Sequence, residues 1–287
     1  MRVFVAAFAC AFSLCLAGCV QEPVSGHAFA EFETMAKMKG GLREERRPLD
    51  APFSNADLLQ NFDRIAFSVE DQFAEGNPQV DHVRRWEAPI RWRLRSIGPD
   101  VVDHFRLVHE TFERLSAVTG LDIAPAAFDE TENMFIFFAR PEDFDPELER
   151  WRKGEADEGL IDFVRAFSTN RTTPCQGVLY RSDGQEPDKP FLMGEINYAL
   201  VVIRAGLTPA SRRTCAEEEL AQSLGLTNDH PGVRPSLFND DEEFALLTEH
   251  DEFLLRLLYD RRLRAGMDRA KAMRLLPEIL AELRPNG

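Results

Sequence analysis

Apolar positions recur along this chain in two rhythms, and the places where one gives way to the other mark its elements. From Asn55 to Phe67, Leu58, Leu59, Phe62, Ile65 and Ala66 fall at helical spacing, which predicts a helix with one apolar face. Residues 85–95 alternate and carry Trp86, Ile90, Trp92 and Leu94, the pattern of a strand. Val101 to Thr119 returns to helical spacing, with Val102, Phe105, Val108, Phe112, Leu115 and Val118 on one side and Gly120 as its stop. Asn133 to Ala139 is a short run of bulky apolar residues, typical of a buried strand. The stretch 141–158 is acidic and irregular, with room for one short helix. Gly177 to Tyr180 and Glu195 to Ala205 predict strands on either side of a polar loop, Ser182 to Lys189. Helices are predicted at 215–225, 248–262 and 268–283. Strands first and helices last, with one long helix packed between them, predict a single α+β domain.

The N-terminus changes this picture by placing the domain. Val3 to Leu16 is an almost unbroken apolar run after Arg2, too short for a permanent span, which needs roughly 20 residues. It has signal-peptide flanks and ends in Leu16-Ala17-Gly18-Cys19, a bacterial lipobox. Acylation of Cys19 would tether the chain to the cell envelope, facing the periplasm; the alternative is an ordinary cleaved signal in which Cys19 is incidental. Val20 stands where an inner-membrane retention signal carries Asp, which favours the outer membrane. Residues 1–18 form the signal and 19–52, polar and poorly periodic, a flexible tether; 53–287 form the domain. Cys10 and Cys15 leave with the signal, so Cys175 and Cys215 remain as a pair in an oxidising compartment. Their disulfide would close a loop of roughly forty residues, worth about 4 kcal/mol by chain entropy. Two buried thiols are the alternative reading.

The formal charge of −15 excludes nucleic acid and anionic lipid as natural partners, since both require basic patches. It suits a basic partner or a hard cation. The chain has no G-x-S-x-G elbow, no phosphate loop and no Cys-His pair free to react.

Chemistry concentrates in Cys215-Ala216-Glu217-Glu218-Glu219-Leu220-Ala221-Gln222-Ser223-Leu224-Gly225. Most of it has a structural explanation. Thr214 and Glu217 have capping-box spacing, Glu218 and Glu219 would suit the first turn, and Gly225 would end the helix. Gln222, Asn228 and Asp229 are left over. Gln222 shares a face with Glu218, and a turn at Gly225 would bring Asn228 back toward both. Those oxygen donors suit calcium or magnesium better than zinc; alternatively they hydrogen-bond one another. His230, a lone loop histidine, is a weak ligand candidate. His104 and His109 are five apart and face different ways, and His250 with Asp251 begins a helix capped by Thr248. The acid run Asn239-Asp240-Asp241-Glu242-Glu243 lacks calcium-loop spacing and predicts a solvated turn.

The 215–229 segment also resembles the metzincin zinc-peptidase motif H-E-x-x-H-x-x-G-x-x-H with its histidines replaced. Glu218, Gln222 and Asn228 stand at the three ligand positions, Glu219 at the catalytic Glu and Gly225 at the Gly. Ser236-Leu237-Phe238 is similar to the Ser-x-Met turn beneath the metal, and Leu247-Thr248-Glu249-His250-Asp251 with Leu257-Leu258-Tyr259 to the last catalytic-domain helix of matrixins. Arg85 to Trp92 resembles their first strand. The ensemble further resembles an uncharacterised family of secreted Gram-negative proteins sharing C-x-E-E-E-L-x-Q-x-L-G-L-x-N-D. The resemblance implies a zincin-like domain with a mixed sheet and a helical C-terminal part, in which zinc is not expected and no cofactor is required. It implies a lipid-anchored protein that binds a peptide or protein partner in a cleft beneath the Glu-rich helix. A hydrolase with Glu219 as general base is the alternative, and a structural envelope lipoprotein the third reading.

Overall fold

The apolar run Met134–Ala139 forms a strand buried at all six positions, which requires cover on both faces of its sheet. The computed structural model describes residues 26–68, 80–154, 156–170, 172–181, 194–239 and 243–285. Cys19 with its lipobox, the loop Ser182 to Lys189, and Asp240 to Glu242 therefore lie outside the described residues.

Five strands, β1 (Ile90–Ser96), β2 (Ile123–Pro125), β3 (Met134–Ala139), β4 (Cys175–Arg181) and β5 (Ile196–Arg204), form one sheet in the order β2-β1-β3-β5-β4. The β1, β2, β3 and β5 pairings are parallel, and β4 runs antiparallel to β5 at one edge. The described helices are α1 (Gly26–Met38), α2 (Asn55–Ala66), α3 (Val101–Thr119), α4 (Phe144–Lys153), α5 (Glu158–Thr169), α6 (Pro209–Gln222), α7 (Glu249–Leu258) and α8 (Arg269–Leu283). Strand alternation sorts the core into two layers. Phe135, Phe137, Leu200 and Val202 pack with Phe144, Ile161, Val164 and Phe167 of α4 and α5. Met134, Ile136, Phe138, Ala199, Val201 and Ile203 join the larger core built with α2, α3, α6, α7 and α8. The result is a mixed αβ domain with helices on both faces of a mixed sheet.

The period-based expectations hold for α2, α3, α7, α8, β3, β4 and β5, with Gly120 closing α3 at φ +74. Four differ. Residues 85–89 precede β1, since Pro89 has no N–H to give a ladder. Val102 and Phe105 stay largely exposed although they share the apolar stripe of α3; with only three residues, β2 stops short of them, and they line an open groove beside Trp92. The segment 158–169 is a full helix, started by Asp157, whose carboxylate accepts from the Gly159 and Leu160 N–H groups.

The Glu-rich helix starts six residues earlier than expected. Thr208 is its N-cap, accepting from Ser211 N, and Pro209 fills the first turn, where no N–H is needed. Thr214 lies mid-helix and donates back to the Ala210 carbonyl at 3.3 Å. It caps nothing, and Glu218 and Glu219 sit in the second half of the helix. The helix ends at Gln222, one turn before Gly225, whose φ is +115. A Cβ at Gly225 would stand 2.3 Å from the Arg84 carbonyl, so the position requires glycine for its φ and for the close approach.

The region expected as a tether is structured from Gly26 onward. After α1, Arg43 pairs with Phe244 in a short parallel bridge. The Arg46 guanidinium meets the Glu217 carboxylate through two bonds of 2.8 and 2.6 Å.

Candidate functional site

The face that α6 turns toward β4 carries the site. Cys215 is bonded to Cys175 at the start of β4, with 5.8 Å between their Cα atoms, so the expected disulfide is present. One turn on, the Glu219 carboxylate lies against Gly177 of β4; a Cβ there would be only 3.0 Å from its Oε2. Glu217, on another face, is buried and takes part in structure: it accepts from Arg46, from Arg213 Nε at 3.3 Å and from the Leu247 N–H at 3.0 Å.

After Gly225 the chain turns back under α6, and two buried rings fix the turn. Trp86 Nε1 donates to the Ser223 carbonyl at 2.9 Å, and the Tyr259 hydroxyl donates to the Leu224 carbonyl at 2.8 Å. Burial pushes the Tyr259 phenol well above its ordinary range, so it stays protonated and available as a donor. Gln222 Nε2 then donates to Asp229 Oδ1 at 2.8 Å. Asn228, expected to converge with Glu218 and Gln222, is buried elsewhere: its Nδ2 donates to the Arg64 carbonyl at 3.0 Å. The return strand is out by one residue from the expected phase, and Asp229 stands in the place assigned to Asn228.

Glu218, Glu219, Gln222 and Asp229 line a cavity of about 340 Å³. Leu237 and Asn239, and Phe29 and Phe32 of α1, also line it. The turn 236–238 is held by Asp251. Its Oδ1 accepts from Ser236 Oγ at 2.5 Å, and its Oδ2 from the N–H groups of Leu237 and Thr248, both at 2.9 Å. Thr248 caps α7 as expected, and Asp251 completes a capping box with it. Phe238 is fully buried beneath the site, and Leu237 faces the cavity.

The four histidines weighed as ligands are not among the residues that line it. His230 accepts from the Gly232 N–H at 2.9 Å, His250 is buried against Asn61 and Asp251, and His104 is buried between Ser96 and Arg212; His109 lies beside Trp92. Of the acid run, Asn239 Nδ2 donates to the Val233 carbonyl and Glu243 pairs with Arg43 and Arg234. Among the described residues no group of three or more His, Cys, Asp or Glu side chains is arranged to hold a metal ion. The site is thus a cavity lined by an acidic group, Glu218, Glu219 and Asp229, and an aromatic one, Phe29 and Phe32.

Sequence reasoning missed the aromatic wall. At the start of α6, Glu33 of α1 accepts from the hydroxyls of Thr208 and, at 2.7 Å, Ser211. Burial pushes its carboxyl up, but the hydrogen bonds from Lys37, Thr208 and Ser211 outweigh this and hold it below the usual range. Spacing alone carried a faint signal, since Phe29, Phe32 and Ala36 fall three and four apart in 26–38.

These features define a mixed αβ domain whose acidic helix is bonded to a sheet edge above a lined cavity. The chain belongs to the family described as Protein of unknown function (DUF2927), which matches residues 55–278. The match spans all five strands and the acidic wall, and leaves α1 outside. No curated protein matches the chain.

Proposed function

We propose that this is a lipid-anchored envelope protein with a zincin-like domain that lacks the zinc-binding histidines and binds a peptide or protein partner in the cavity beside α6. The observation that carries the reading is the cavity itself, large enough for one or two side chains and lined by both acidic and aromatic residues. Glu218, Glu219 and Asp229 favour a cationic group, and Phe29, Phe32 and Leu237 favour an apolar one. The terminal position of β4 adds a sheet edge along which an extended chain can pair. The lipobox at 16–19 supports the anchor. Fluorescence titration of the full chain with peptides of about ten residues, varied in basic and aromatic content, tests the proposal. Saturable binding of basic-aromatic peptides, lost in Glu218→Gln/Glu219→Gln, is expected; indifference to both features would overturn it.

A hydrolase using Glu219 as general base is the second reading. It is favoured by the position of that carboxylate on the cavity wall, opposite a residue without a side chain. Peptide cleavage abolished by Glu219→Gln, together with a stoichiometric bound metal, would promote it over the first.

A further inference from the structure

We infer that α1 is a displaceable cover of this cavity, hinged at Gly40–Gly41 and latched by Glu33. The inference rests on the reading of the cavity as a binding site and adds its regulation. Three observations converge. First, Phe29 and Phe32 line the same cavity as Glu218 and Glu219, so a ligand filling it would meet α1. Second, the helix is held lightly. None of its side chains over 29–38 is buried, and Met35 and Met38 are mostly exposed. Its polar tie to α6 is the Glu33 carboxylate on the hydroxyls of Thr208 and Ser211, at the helix end where the dipole favours a negative charge.

Third, the attachment beyond the helix is firm and separated from it by glycine. Gly40, at φ +85, closes α1, and a Cβ there would meet nothing within 4 Å, so the turn is uncrowded. The Arg43 N–H then donates to the Glu243 carbonyl and its carbonyl accepts from the Ala245 N–H, both at 2.8 Å, and Arg46 grips Glu217. A helix with no buried side chain over 29–38, joined to a fixed strap through a glycine turn, opens as a unit at lower free energy than the core behind it. Removing the latch loses charge-assisted bonds and raises the open fraction, and the apparent affinity of a cavity ligand rises with that fraction.

Hydrogen exchange on the full chain, compared between the native protein and Glu33→Ala, tests this. Amides of 29–38 should exchange at least roughly tenfold faster than those of β5 in the native protein, and on the order of tenfold faster again in the variant, with β5 unchanged. An environment-sensitive apolar dye should bind more to the variant. Ser211→Ala, a milder change on the α6 side, should move both readouts the same way and stands in if Glu33→Ala misfolds. Protection of α1 equal to that of β5, or release of α1 with no gain in dye binding, would overturn the inference. Neither readout uses a peptide, so failure of peptide binding alone leaves the cover standing and removes only the ligand reading.

Discussion

Asp251 and Gln222 sit at opposite ends of one scale. Asp251 is fully buried, and its two oxygens hold the Ser236–Leu237 turn and the start of α7 together. Asp251→Ala strands several buried donors at once and should cost about 3–5 kcal/mol in denaturant unfolding. A loss under about 1 kcal/mol would mean that the turn is held by something else. Gln222 is half-buried with a bond to Asp229, so Gln222→Ala should cost about 1 kcal/mol or less. The capping role of Asp251 follows from its T-x-x-D spacing. Its second task does not, because nothing local to 248–251 announces a partner at 236. Asn228 and Asp229 show the same limit: both are polar and adjacent, and the turn imposed by Gly225 against Arg84 decides which of them meets Gln222.

Among the elements, those legible in advance bury a face or most of a stripe: α2, α3 beyond Phe105, β3 and β5. Those missed depend on distant partners. The start of α6 hid behind Ser211, Arg212 and Arg213, polar residues that read as loop but occupy its first turns. The helix α1 reads as a polar tether because it stands in a polar, poorly periodic stretch and its apolar residues need the cavity to pack on. The disulfide between α6 and β4 was readable from the expected compartment and the cysteine count. Cys175→Ser/Cys215→Ser should lower stability by about 4 kcal/mol, from the loop it opens. The same thermal melts should show Gly225→Ala to be costly, on the order of 3 kcal/mol, since the Arg84 carbonyl blocks the added methyl and the φ is unfavourable.

For the whole molecule, His104 makes stability sensitive to acid. It stacks on Phe138 at 4.1 Å and lies 2.8 Å from Ser96 Oγ, joining α3 to the sheet, and 2.5 Å from Arg212 Nη1 on α6. Arg212 only donates, so Nε2 accepts and the ring is neutral. Burial, then the Arg212 and Arg140 cations, push its pKa down to about 4 against the opposing pull of Asp100 and Asp103. Because the unfolded chain takes up the proton near pH 6.5 and the folded one near 4, stability is complete above 6.5. It should fall by up to about 3 kcal/mol as pH drops to 4. Urea unfolding across that window checks it, and His104→Gln should flatten the slope.

The grip of Arg46 on Glu217 has a consequence for where this protein begins. The family match opens at residue 55, after Arg46. A chain cut to that boundary would keep Glu217 in its buried place under Leu247 while discarding the cation that holds both its oxygens. The matched span and the self-sufficient fold thus have different borders here, with the strap before residue 55 behaving as a missing piece of the core.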